Sequence, residues 1–160
     1  MNMPSLAPSL APSLAPSLGT SLRLSDGDLA LAPSGDGLRD LALVTGRDNL
    51  AQALRVIVDT PFGSDPVNVN YGLDTPAIFT VASSVASIRD VIRLNLVKSL
   101  QVDDRVTEIS DVVFDDDPAF PAPAPDATGT ARRTRVWHAV VTLATIAGDR
   151  QSMSLTAGAP

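Results

Sequence analysis

Residues 84–114 read SVASIRDVIRLNLVKSLQVDDRVTEISDVVF, and their hydrophobic period changes from one end to the other. Val85, Ile88, Ile92, Leu96 and Leu100 recur at spacings of three and four, with Arg89, Asp90, Arg93 and Lys98 between them. That spacing sets five aliphatics on one stripe of a helix, which Ser83 or Ser84 can start. Burying such side chains is worth roughly 1.5–3 kcal/mol each, so this helix is expected at the centre of the core. Beyond Asp103-Asp104-Arg105 the period falls to two, and Val106, Ser110, Val112 and Phe114 share one face of a strand.

Downstream, Arg133 to Ile146 reads as a longer strand, with Val136, His138, Val140, Thr142 and Ala144 opposing Trp137, Ala139, Val141, Leu143 and Thr145. It is expected to pair antiparallel with the strand at 106–114. After Gly148-Asp149, Arg150 to Leu155 can return as a last strand and close a β-meander. Residues 115–130 form an acidic, then Pro-Ala-rich insert expected to be mobile or partner-bound.

Upstream, Asp48 or Asn49 can cap a helix reaching Asp59, whose Leu50, Leu54 and Ile57 make one apolar stripe. Pro61 stops it, and Thr60 to Asp74 is too rich in Pro, Gly and Asn for a regular element. Ser21 to Leu24 and Leu29 to Ala32 flank the turn Ser25-Asp26-Gly27-Asp28 and predict a small hairpin. After a turn from Pro33 to Gly37, Leu41 and Leu43 alternate with Asp40 and Ala42 as on a half-buried strand. From Pro4 to Leu18 a Pro-Ser-Leu-Ala unit repeats every four residues, and proline at that period forbids a regular helix. Its leucines, Leu6, Leu10, Leu14 and Leu18, are placed to dock along a neighbouring subunit. The expected class is α+β: two main helices on an antiparallel meander, with residues 1–20 as an extended tail and 21–160 as one domain.

Composition narrows the function. A net charge of −6 with only twelve scattered Lys and Arg argues against a nucleic-acid surface. The one basic cluster, Arg132, Arg133 and Arg135, reads as a solvated strand end or a handle for an acidic partner. With no cysteine, disulfides, thiolate nucleophiles and Cys-ligated metals are excluded. No apolar run approaches the roughly 20 residues of a membrane span, and no basic-then-apolar leader opens the chain, so no membrane insertion and a cytoplasmic origin are expected. No metal or other cofactor is expected: Asp115-Asp116-Asp117 lacks calcium-loop spacing, and no glycine-rich phosphate loop occurs.

Catalytic constellations are equally sparse. Glycoside cleavage needs two carboxylates in unlike environments, and Glu108 is the only glutamate, with Asp103, Asp104 or Asp111 as possible partners. A solvated strand residue is the plainer reading. His138 is the only histidine and has no Gly-x-Ser-x-Gly elbow to serve, so a packed or hydrogen-bonded residue is expected there. Trp137 reads as core, and Tyr71 as either core or partner anchor.

Several blocks in order resemble the phage baseplate wedge family often called gene-25-like lysozyme, which also occurs in type VI secretion and extracellular contractile injection systems. Gly46-Arg47-Asp48-Asn49-Leu50-Ala51-Gln52-Ala53-Leu54 is similar to its first helix, and Ile88-Arg89-Asp90-Val91-Ile92-Arg93 to its second. Thr60-Pro61-Phe62-Gly63 and Asn70-Tyr71-Gly72-Leu73 are similar to its threonine-proline-x-glycine loop and aspartate-tyrosine-glycine turn. Where the family carries glutamate-proline-arginine, this chain has Asp103-Asp104-Arg105: the arginine is kept, an aspartate stands for the glutamate and another replaces the proline.

The resemblance implies a place in the baseplate in six copies, with wedge contacts through Asp103, Asp104 and Arg105 and strands offered to the sheath protein. Sheet edges attract added strands, so Val136, His138, Val140, Thr142, Ser152 and Ser154 are the sheath-contact candidates. The expectation is a structural protein and not an enzyme. Peptidoglycan hydrolysis is the alternative that the family's lysozyme label implies.

Overall fold

The two periods read from the sequence become two layers. In the computed structural model, which describes residues 18–35, 37–74, 76, 85–121 and 136–158, helices α1 (Gly46–Asp59) and α2 (Val85–Leu100) pack against a three-stranded antiparallel sheet. Its strands are β7 (Val106–Phe114), β8 (Val136–Thr145) and β9 (Arg150–Gly158), in the order β7-β8-β9. This is the expected α+β meander. Leu50, Leu54 and Ile57 of α1, Ile92, Leu96 and Leu100 of α2, and Phe114, Trp137, Val141, Leu143 and Leu155 of the sheet are all buried in one cluster. Odd-numbered residues of β8 from Trp137 to Thr145 face that core, while His138, Val140, Thr142 and Ala144 lie half-buried on the opposite face.

Several sequence expectations change. Ser110 does not share the face of Val112 and Phe114, because register shifts between Val106 and Glu108 and between Ile109 and Asp111 turn it out to solvent and bring Ile109 toward the core. A bulge adds a residue and so inverts the alternation beyond it. Neither Asp48 nor Asn49 caps α1: its N-cap is Thr45, with no side-chain cap bond, and Asn49 is buried one turn inside. Residues 115–121, the start of the insert, are held in turns by Asp117 N–H donating to Phe114 O at 2.9 Å and Phe120 N–H to Asp117 O at 2.9 Å. Arg89 pairs with Asp116 there at 3.5 Å. Residues 122–130 and Arg132, Arg133 and Arg135 lie outside the described residues.

Before α1 the described residues form six short strands, β1 (Thr20–Leu22), β2 (Leu24–Ser25), β3 (Asp28–Leu29), β4 (Leu31–Pro33), β5 (Arg39–Leu41) and β6 (Leu43–Thr45). The predicted hairpin forms only around its turn, as β2–β3 pairing Leu24 with Leu29 and Ser25 with Asp28, with Asp26 and Gly27 both at positive φ as a two-residue primed turn requires; Ser21 and Leu22 pair instead with β6, and Leu31 and Ala32 with β5. The other pairs are β4–β5 and β6–β1, so the three chain segments pair cyclically. Leu41 and Leu43 are 43% and 59% exposed while Val44 is buried, so the leucine face predicted to be half-buried turns outward.

Candidate functional site

The Asp103-Asp104-Arg105 turn joins α2 to β7. Arg105 forks onto Asp103, its Nε donating to Oδ1 at 2.9 Å and its Nη2 to Oδ2 at 2.6 Å, and its own backbone N–H donates to Oδ1 at 3.0 Å. The remaining guanidinium nitrogen, Nη1, donates to the Leu18 carbonyl at 2.9 Å, and Asn49 Nδ2 donates to the same oxygen at 2.9 Å. Asn49 Oδ1 accepts from Ser21 Oγ at 2.5 Å. Leu18 itself is buried in the core cluster. Of the four repeat leucines predicted to dock, Leu18 is therefore a core residue, and Leu6, Leu10 and Leu14 lie outside the described residues. Two of the three residues proposed for wedge contact are engaged within the chain, clamping the root of the tail, whereas Asp104 is exposed.

The clamp has an electrostatic signature. Burial pushes the Asp103 carboxyl upward, but hydrogen bonds and charge from Arg105 outweigh it and hold the group below its ordinary value. Arg105 is held above its ordinary value by the same pair. Burial, then the Asp103 and Asp65 carboxylates, push the half-buried Tyr71 phenol up. Because the folded-state value of Asp103 is the lower one, its contribution to stability is complete above the ordinary carboxylate value near 3.9 and is lost as pH falls through the folded value. Asp103→Asn is expected to cost about 1–2 kcal/mol at pH 7, a charged hydrogen bond in a partly solvated setting. In urea melts across pH, the gap between the two proteins should stay constant above about pH 5 and close below about pH 4. A gap that persists into strong acid would place the stabilisation elsewhere.

The second feature is the outer side of β9. Strand β8 is central: His138, Val140 and Thr142 lie where it is bonded to β7 on one side and β9 on the other, while Val136, beyond the last residue paired with β7, is paired with Gly158 of β9; within this range the edge belongs to the strand of Ser152 and Ser154. The β8–β9 hairpin closes with Thr145 N–H donating to Asp149 O at 3.0 Å, Gly148 N–H donating to Thr145 O at 2.9 Å and Gly148 at φ +81°. Thr145 Oγ1 and Arg47 both hold the Asp149 carboxylate, tying the turn to the start of α1. Counting from that closed pair, Gln151, Met153 and Leu155 exchange backbone bonds with β8, and Ser152, Ser154 and Thr156 direct theirs outward.

Along nine residues the β8–β9 register runs without a shift, and past Arg150 the strand QSMSLTAG carries no charge and no proline. Among the described residues, no backbone-to-backbone bond is made on its outer side. A groove of about 470 Å³ touches both Met153 and Ser154, whose side chains point to opposite faces, so it adjoins the strand's edge. Arg23 and the α1 residues Asp48, Gln52, Arg55 and Asp59 form its other wall. On the open face of the sheet, Thr142 Oγ1 and Ser152 Oγ are 3.0 Å apart.

No family model matches the chain, and no curated protein is similar to it. Among solved structures, a candidate tail lysozyme from Geobacter sulfurreducens is similar over 76% of this chain and 97% of its own length, at 10% identity and a TM-score of 0.47.

The catalytic candidates are not assembled. Glu108 is exposed on β7 across from Ala144, and Asp103 is committed to Arg105. His138 Nδ1 lies 3.3 Å from Thr156 Oγ1 on the open sheet face. Among the described residues no group of three acidic or histidine side chains could hold a metal ion, and Asp116 instead faces Arg89. No described helix is long and apolar enough to cross a membrane. Trp137 is core, as expected, and Tyr71 packs half-buried against it. Sequence reading missed the role of Asn49, whose partner is a backbone carbonyl 31 residues away and leaves no signal in side-chain pattern.

Proposed function

We propose that this chain is a non-enzymatic structural subunit of a contractile injection particle, and that β9 receives a strand of the sheath protein by β-augmentation. The observation that carries the augmentation is the regular, uncharged outer edge of β9 opening onto a groove. Natural edge strands are commonly blunted by charge, proline or bulges; β7 has two register shifts, and β9 beyond Arg150 has none of the three. Ser152 and Ser154 present outward backbone groups there, so main-chain bonds would give affinity and the groove would sort side chains. The sheath as donor, the wedge proteins as neighbours and six copies per baseplate follow from the sequence resemblance.

The test is affinity purification of the tagged full chain from its native host with mass spectrometry, beside a Ser152→Pro/Ser154→Pro variant. Proline at these positions removes two outward N–H donors and leaves the bonds to β8 in place, so thermal stability should change little. The expected result is sheath and wedge proteins with the unaltered chain, and wedge proteins without sheath for the variant. Undiminished sheath capture by the variant would sink the augmentation, and a lone chain that clears cell walls would sink the structural reading.

A further inference from the structure

The cyclic pairing before α1 has a consequence for its surface. Three Leu-x-Leu units, Leu22-Arg23-Leu24, Leu29-Ala30-Leu31 and Leu41-Ala42-Leu43, meet at their middle residues. There Arg23 N–H donates to Ala42 O at 2.8 Å, Ala42 N–H to Ala30 O at 2.9 Å and Ala30 N–H to Arg23 O at 2.9 Å, a closed ring of backbone bonds. The flanking leucines pair across strands as Leu22 with Leu43, Leu24 with Leu29 and Leu31 with Leu41. Residues two apart on a strand share a face, and so do paired residues, so all six leucines project from one side. Each is between 37% and 59% exposed. The other side, marked by buried Val44, rests on α1, where Gln52 bonds the Leu22 carbonyl and the Leu24 amide.

We propose that this six-leucine face is the docking site for the chain's own Pro-Ser-Leu-Ala repeat. Six half-exposed leucines make a patch of a few hundred Å², the size of functional patches on monomers and below the roughly 800 Å² per partner of a standard protein interface. A peptide segment fits that area better than a second folded copy. The repeat lies beside it in sequence: Leu18 is clamped by Arg105 and Asn49 only four residues before Leu22. Leu10 precedes Leu18 by eight residues, a reach of up to roughly 25 Å, against the roughly 13 Å that separates Leu18 from Leu22 along an extended strand. A tether that short holds the repeat at an effective concentration near the millimolar range, which selects the chain's own tail over a neighbour's. Proline at every fourth position also lowers the ordering cost of an extended ligand.

The chain has no cysteine, so an engineered pair reports cleanly. In the full-length protein, Leu10→Cys with Leu31→Cys under mild oxidation should form a disulfide within the monomer roughly tenfold faster than Leu10→Cys with Thr107→Cys, a control at an exposed β7 position. The rate should not change on dilution. Disulfide-linked dimers would give the face to a second copy's tail, and a rate equal to the control would give it to a different partner; either result overturns the proposal. This inference does not depend on the sheath reading, since β9 plays no part in it.

Discussion

Gly72→Ala should destabilise the fold by roughly 3–5 kcal/mol, read from urea unfolding. Gly72 sits at φ +106°, where a β-carbon would lie 2.4 Å from Thr60 O and 2.9 Å from the Pro61 carbonyl carbon. Both are backbone atoms and cannot rotate away. The approach is fixed from both sides: Leu73 N–H donates to Thr60 O at 2.8 Å, Phe62 N–H donates to Leu73 O at 3.0 Å, and Ser99 Oγ on α2 donates to the Gly72 carbonyl at 2.9 Å. Gly148→Ala is the control, with a similar positive φ of +81° and nothing within 4 Å of its β-carbon. It should cost only about 1–2 kcal/mol, the left-handed penalty alone. Equal losses at the two glycines would show that backbone conformation, and not the close approach, sets the cost.

Phe114→Ala should cost about 3–5 kcal/mol, the range for emptying a buried aromatic site. Phe114 is fully buried at the end of β7, meets Trp137 edge-on with centroids 5.9 Å apart, and has the Arg93 guanidinium 5.6 Å from its ring centre. Arg93 also donates to the Val112 carbonyl at 3.3 Å, so the ring joins α2 to both outer β7 and central β8. Phe114→Leu, which keeps most of the volume, should lose distinctly less. Trp137 is the only tryptophan, and its fluorescence should shift in the native baseline of Phe114→Ala before any denaturant is added. An unchanged baseline and a loss under 1 kcal/mol would mean that the neighbours close over the cavity, at odds with a tightly packed joint.

The Gly72 loop also accounts for two of the blocks that carry the sequence resemblance. Thr60-Pro61-Phe62-Gly63 and Asn70-Tyr71-Gly72-Leu73 are separated in the chain yet joined by backbone bonds and by the Pro61–Leu73 bridge. Their residue types serve a close backbone crossing. Arg105 likewise reads in the sequence as a partner contact, and within the fold it holds Asp103 and the Leu18 carbonyl.

What the sequence by itself determined was local: the helix stripes of Leu50, Leu54 and Ile57 and of Ile92, Leu96 and Leu100, the alternation of β8, the Asp26-Gly27 turn and the return of β9. Each of these is set by a period or a backbone preference that neighbouring residues carry among themselves. Tertiary structure alone decided that Ser110 leaves its predicted face, that the leucines of Leu41-Ala42-Leu43 turn outward while Val44 turns in, and that Leu18 is gripped from 87 residues away. Periodicity states which side chains share a face; which face is covered depends on what packs against it, and that partner is supplied by a distant part of the chain.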